Sequence, residues 1–194
     1  MDKNDVDRFF QSMTEFNTIN PIGSIFENSL RKEKDTFGSS APKPEKLVDF
    51  VCYCLNPNHY HFVLKQLVDG GIRHFMHRLG TGYTNYFNER YKRTGSLFQG
   101  RFKAVYIDSN EYLLYISAYV NLNDRVHKIN ISANPQGVKP KSSWYEYVES
   151  LLDNFCNTDS VLGQFKDRND YKMFTENALE YILERKDIEK LLLE

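Results

Sequence analysis

Apolar residues recur along this chain with two periods, and the change between them marks where helices give way to strands. Between Asp5 and Phe16, Val6, Phe9, Phe10 and Met13 fall on one stripe at helical spacing, which predicts a short amphipathic helix. The pattern then fades. Asn20-Pro21, Gly23, Gly38-Ser39-Ser40 and Pro42-Lys43-Pro44 punctuate residues 17–46, which read as a long loop insertion with one helical turn around Ser24 to Lys32. Leu47 to Leu55 is β-branched and aromatic and reads as a strand, Asn56-Pro57-Asn58 turns the chain, and a second strand from His59 to Leu64 completes an antiparallel hairpin.

After Gly70-Gly71 the period returns to three and four. Ile72, Phe75, Met76, Leu79, Tyr83, Tyr86 and Phe87 predict a long helix in spite of Gly80 and Gly82, with His74 and His77 as exposed bystanders on it. Arg90 to Leu97 is a basic loop, and Gln99 to Ile107 alternates Phe102, Ala104 and Tyr106 against Arg101, Lys103 and Val105, as a strand does. Asp108-Ser109-Asn110-Glu111 reads as a capping box with Asp108 at the cap, opening a helix that runs to about Asp124. Asn130 to Pro140 is rich in turn formers. Order resumes at Ser142-Ser143-Trp144-Tyr145, with the single tryptophan packed inward, and Asp159 to Phe165, Asp170 to Leu183 and Asp187 to Leu193 read as three short acidic helices. The expected organisation is a catalytic-type domain over residues 1–130 and a small helical extension over 131–194.

Composition narrows this picture only locally. A chain of 194 residues with 41% hydrophobic residues can bury a real core, and its net charge of -1 gives no global signal for nucleic acid. From Arg73 to Lys103, however, seven basic residues face a single acid, Glu89. Such a stretch suits a phosphate-bearing partner, or else forms a solvated loop balanced by acids elsewhere. Three cysteines suggest a reducing compartment, with Cys52 and Cys54 as buried thiols. No apolar run approaches the ~18 residues that a membrane span needs, so a soluble, cytoplasmic protein is expected.

The candidate chemistry lies in the hairpin. His59 and His61 are two apart on a strand, so their imidazoles share a face, while Tyr60, Phe62 and Leu64 are expected to pack into a core on the other. Two imidazoles can grip a divalent ion if further donors reach it. Tyr119 and Asn123, at i and i+4 on the later helix, offer a phenol and an amide oxygen to that site. A divalent ion beside a phenol suits nucleophilic attack on a phosphoryl group, since tyrosine at its free pKa near 10 is otherwise a weak nucleophile. Against this stands the plainer possibility of two polar residues on an exposed strand and one tyrosine among 13. Tyr112 and Tyr115 on the same helix are expected to pack.

Four blocks carry a family resemblance. Asn56-Pro57-Asn58-His59-Tyr60-His61-Phe62-Val63-Leu64 resembles the His-hydrophobe-His motif of the single-tyrosine HUH transposases (the insertion-sequence-200-like superfamily), above all the REP-associated tyrosine transposase branch. Gly95-Ser96-Leu97-Phe98-Gln99-Gly100-Arg101-Phe102-Lys103 resembles the block after that family's long helix, and Tyr119-Val120-Asn121-Leu122-Asn123 its tyrosine-bearing segment. Ser142-Ser143-Trp144-Tyr145 resembles a segment that follows. The resemblance implies an α+β, ferredoxin-like or RRM-like domain with a central antiparallel sheet and flanking helices. It implies Mg²⁺ or Mn²⁺, and nicking and rejoining of single-stranded DNA beside hairpins through a 5′-phosphotyrosine. Carried over by position, Tyr119 is the nucleophile, His59, His61 and Asn123 hold the metal, and Arg101 and Lys103 contact DNA backbone, with Arg90, Lys92 and Arg93 of the basic loop joining them. Single-stranded or hairpin DNA is the implied partner, engaged by a monomer or a homodimer, and no membrane is involved.

Two departures from the family pattern stand out: no strand precedes the first helix, so either the sheet is one strand short or the start is truncated, and Asp124 follows Asn123 where the family commonly has proline. Nucleotide hydrolases with three same-face histidines are a second reading, which Val63 at the third position argues against. A third is a catalytically inactive or domesticated relative that binds hairpin DNA without cutting it.

Overall fold

The computed structural model describes residues 2–35, 44–127, 138–150 and 154–191. It is a mixed α+β protein with a three-stranded antiparallel sheet and flanking helices. The chain divides into two compact units, one built from Asn4–Asp49 with Lys65–Ala104 and the other mainly from Phe50–Leu64 with Val105–Glu194.

In the first of these, α1 (Lys3–Glu15) buries Val6, Phe9 and Met13, as its stripe predicts. Phe9 meets Tyr83 of α3 (Gly71–Tyr91) edge to face, with centroids 4.7 Å apart. Asn17, at the end of α1, is buried, and its amide supplies the hydrogen bonds that an irregular segment needs: Oδ1 accepts from the Leu47 and Val48 N–H groups at 3.1 and 3.0 Å, and Nδ2 donates to the Val48 carbonyl at 2.8 Å. The single helical turn expected around Ser24 to Lys32 is instead a full helix, α2 (Ile25–Asp35). Its start is a capping box: Ser24 Oγ accepts from the Glu27 N–H at 3.1 Å, and Glu27 Oε2 accepts from the Ser24 N–H at 3.0 Å. Those two bonds hold the Glu27 carboxyl below the usual carboxylate range. Residues 36–43, part of the expected loop insertion, lie outside the described residues.

The two glycines inside α3 have different reasons to be there. A Cβ on Gly82 would sit 2.4 Å from the ring of Phe16, so that helix–ring approach requires glycine. A Cβ on Gly80 would meet nothing within 4 Å. Gly80→Ala is therefore expected to stabilise the protein by about 0.5–1 kcal/mol through helix propensity, while Gly82→Ala costs about 1–3 kcal/mol through overpacking. Thermal melts of the two variants should move in opposite directions. Were both to fall together, the packing argument for Gly82 would lose its contrast.

In the second unit the tip of a hairpin forms from β1 (Val48–Leu55) and β2 (Tyr60–Gln66), closed by the Asn56 N–H donating to the His59 carbonyl at 2.9 Å. The third strand, β3 (Lys141–Ser142), pairs with the other edge of β1, Cys54 opposite Ser142, giving the order β2-β1-β3. Its two residues carry too little period to be read from sequence. Val51, Cys52, Cys54 and Val63 join Val120, Leu122, Trp144, Tyr147, Val161 and Tyr171 in one core. Both strand thiols are fully buried. Burial, with the negative charge of Asp124 adding to it, pushes the Cys54 thiol up to about 12, and burial also raises that of Cys52, so neither offers the thiolate a metal requires.

Several local expectations are corrected here. Gln99 to Ile107 is irregular and forms no strand, since alternation makes a strand only where a neighbour completes the ladder, and Val105 and Tyr106 remain exposed. The cap of α4 (Asn110–Asn121) is Ser109, whose Oγ accepts from the Tyr112 N–H at 3.2 Å, and not Asp108. The helix does not continue to Asp124 without a break: Leu122, at φ -108° and ψ 20°, interrupts it before the short α5 (Asn123–Val126). After α6 (Trp144–Val148) and α7 (Asp159–Leu162), the last two predicted helices are one, α8 (Arg168–Leu191). Most of the turn-rich stretch, residues 130–137, lies outside the described residues.

The break after Asn121 is held by buried polar side chains. Asn121 is fully buried and satisfied at both ends: its Nδ2 donates to the Tyr171 hydroxyl at 2.8 Å and its Oδ1 accepts from Ser143 Oγ at 2.6 Å. Ser143 Oγ in turn accepts from the Tyr53 N–H at 2.9 Å. This network ties α4 to β1 and α8, and so fixes the residues on either side of Asn121.

Candidate active site

The site is built from the hairpin turn and the α4–α5 junction, all within one unit. Asn56 and His59 close the turn, and His61 follows on β2. The face that carries the histidines is the one that meets the helices: Val63, next on that face, is buried in the core with Val120 and Leu122. Tyr60, Phe62 and Leu64, expected to be the core face, are only half-buried, and Phe62 packs on Phe50 at 5.2 Å. The helices cover the histidine side, so the apolar pattern of β2 inverts its expected role.

Four predicted residues converge. The rings of His59 and His61 lie 5.3 Å apart, centroid to centroid, at 81°. The half-buried ring of Tyr119 stands 5.7 Å from that of His61 at 80°, on the histidine side of the sheet. Asn123 is fully buried, with its Oδ1 3.1 Å from His59 Nε2 and accepting from Asn56 Nδ2 at 2.7 Å. Its own Nδ2 is buried without a hydrogen-bond partner, at a cost of about 1–3 kcal/mol. Of the other tyrosines on α4, Tyr115 has its hydroxyl pushed up by burial, opposed by Arg185 and reinforced by Tyr181 and Tyr119, which disfavours it as a phenolate.

The donor set fits a divalent cation. Asn58 Oδ1 lies 2.7 Å from His59 Nδ1, so that nitrogen carries the proton and Nε2 presents its lone pair. Nε2 and Asn123 Oδ1, two acceptors, then face each other at 3.1 Å with the Asn56 amide as their common donor, 2.9 Å from Nε2. Two lone pairs so close are the spacing of adjacent ligands on one ion, roughly 3.0 Å for metal–ligand bonds near 2.1 Å at right angles.

One residue at this site escapes the sequence reading. His127 lies beside His59, with ring centroids 4.9 Å apart, and one ligand nitrogen from each of His59, His61 and His127 falls within 4.8 Å of the others. Its signal was present: it is i+4 from Asn123 and i+8 from Tyr119, and its N–H donates to the Asn123 carbonyl at 3.0 Å.

The predicted DNA-contacting residues belong to the other unit. Lys92, Arg93, Arg101 and Lys103 are exposed there. Arg90 is tethered: its guanidinium donates to Oδ1 of the fully buried Asp5 at 2.9 Å and to the Tyr86 hydroxyl at 2.7 Å, and Tyr91 donates to the other Asp5 oxygen at 2.7 Å. An acid 85 residues earlier in the chain is a partner that local charge patterning cannot reveal.

Residues 24–123, a little over half of the chain, match the family model described as "Transposase IS200 like". The chain belongs to the IS200-like transposase family. The match begins at the capping box of α2 and ends on Asn123, so it takes in the hairpin, the tyrosine helix and all but the first seven residues of the segment that had read as an insertion. No curated protein and no solved structure gives a significant match. Membership makes this IS200-like transposase a DNA-processing protein with DNA as its partner. Among its described residues no helix is long and apolar enough to cross a membrane.

Proposed function

We propose that this transposase nicks and rejoins single-stranded DNA, beside a hairpin, by way of a tyrosine nucleophile and a divalent metal. The observation that supports it most is the approach of the Tyr119 ring to His61 while Asn123 Oδ1 faces His59. His59, His61 and Asn123 would hold Mg²⁺ or Mn²⁺, which supplies charge withdrawal from a phosphoryl oxygen as negative charge builds there. The Tyr119 oxygen attacks phosphorus, its proton leaves to solvent, the bond from phosphorus to the 3′ oxygen breaks, that oxygen takes a proton from water, and a 5′-phosphotyrosine remains with a free 3′-hydroxyl. Because one phosphoester replaces another, the reverse attack by a 3′-hydroxyl reseals the strand without a nucleotide cofactor. Asn56, donating to Asn123 Oδ1, keeps that oxygen rather than the amide nitrogen turned toward the histidines.

The test is a denaturing gel of the full chain incubated with Mn²⁺ and labelled hairpin DNA carrying single-stranded flanks. A protein-linked band that resists denaturant is expected. A complex seen only under native conditions would favour the binding module that no longer cuts. Binding itself is expected to weaken steeply with salt, as Lys92, Arg93, Arg101 and Lys103 displace counterions. An affinity that stays flat between about 50 and 200 mM salt, a range over which four phosphate contacts on a single strand should cost on the order of 50-fold, would remove these side chains from the interface.

A further inference from the structure

We infer that His127 is a fourth donor to this centre, and that the resulting three-imidazole set selects a nitrogen-preferring divalent metal over magnesium. The inference rests on the proposed metal site but adds to it a residue and a metal class.

The geometry begins in α5. Leu122 breaks α4, and the new turn then carries Asn123 at its first position and His127 at its C-cap, one above the other through the His127 N–H to Asn123 carbonyl bond of 3.0 Å. Asn123 Oδ1 faces His59 from the buried end of this turn, and His127 approaches the same imidazole from the exposed end, its ring inclined 68° to that of His59. His59 thus stands between His61, at 5.3 Å, and His127, at 4.9 Å, and the ligand nitrogens of all three fall within 4.8 Å of one another.

The donor chemistry sets the metal. Three imidazole nitrogens and one amide oxygen make a site of borderline softness, which favours Co²⁺, Ni²⁺ and Zn²⁺ over a hard ion such as Mg²⁺, with Mn²⁺ the weakest binder among the transition metals. Mg²⁺ instead takes oxygen ligands in a near-ideal octahedron and keeps its waters, so a third imidazole gains it little. His127 is therefore the residue that separates the two classes.

Cobalt reports this directly through its visible absorption, with no activity assay. Metal-free full-length protein titrated with Co²⁺ is expected to give a saturable band, and His127→Ala to weaken Co²⁺ binding by more than about tenfold, since losing a ligand costs at least as much as losing a second-shell partner. Mg²⁺ affinity, read by calorimetry, should barely change in the same variant. His127→Asp, which replaces nitrogen with oxygen, should lower the ratio of Co²⁺ to Mg²⁺ affinity. His127 is exposed, so these variants are expected to fold, which circular dichroism checks. Should His127→Ala titrate like the parent while His59→Ala and His61→Ala lose the band, His127 is no ligand and the two-histidine site stands. If none of the three variants differs from the parent, the metal centre itself is absent, and the function proposed above loses its metal along with this inference.

Discussion

Tyr119→Phe is expected to abolish formation of the covalent DNA adduct, by at least about a thousandfold in rate, because removing a nucleophile removes the reaction path itself. On the scale of activation energies that is about 4 kcal/mol or more. The ring is retained, so packing against His61 and the α4 core is preserved and the stability of the variant should match the parent within about 0.5 kcal/mol. DNA affinity should likewise survive, since the phenol supplies one polar contact among many phosphate contacts. Tyr112→Phe and Tyr115→Phe serve as controls on the same helix, and both should keep the adduct. If Tyr115→Phe, rather than Tyr119→Phe, eliminated it, the assignment of the nucleophile would pass to the residue one turn earlier.

The second large effect is expected at His61. Its imidazole lies between His59 and Tyr119, so His61→Ala removes the proposed metal donor and the neighbour of the proposed nucleophile together. A loss of about a hundredfold or more in cleavage is expected, in line with removing one well-placed electrostatic contributor from an active site. Binding of hairpin DNA should persist, because the exposed basic side chains are proposed to provide most of it. Raising the Mn²⁺ concentration should recover part of the rate, since a weakened site fills by mass action. A defect indifferent to metal concentration would instead mark His61 as a support for the tyrosine ring.

How far the sequence foretold this arrangement depends on the range of the interactions involved. The histidine spacing, the proline turn and the i, i+4 pair of Tyr119 and Asn123 are local, and the structure brings those four side chains to one place. Local too was the Ser24–Glu27 capping box, but the Pro and Gly punctuation around it outweighed that signal, so only one helical turn was expected where α2 forms. The break at Leu122 was hidden, because the forces that produce it come from far away: Asn121 is anchored by Ser143 and by Tyr171, 22 and 50 residues on. That break also explains why Asn123 and His127 lie on a separate turn from Tyr119. Gln99 to Ile107 shows the reverse error, where a clean alternation lacked the neighbouring strand that would have made it a strand. Asp5, a single acid in an amphipathic helix, gave no hint that it anchors Arg90, and only the fold shows that this arginine is engaged.

The most direct measurement of the central claim is to find which atom of the protein the DNA becomes attached to. After reaction with hairpin DNA and Mn²⁺, nuclease trimming and proteolysis, mass spectrometry should find the nucleotide remnant on the peptide that contains Tyr119, bound through phosphorus to its phenolic oxygen, and in lower yield when His59 or His61 is replaced. A remnant on any other residue, or on Tyr119 in equal yield without the histidines, would contradict the convergence of phenol and imidazoles on one phosphate.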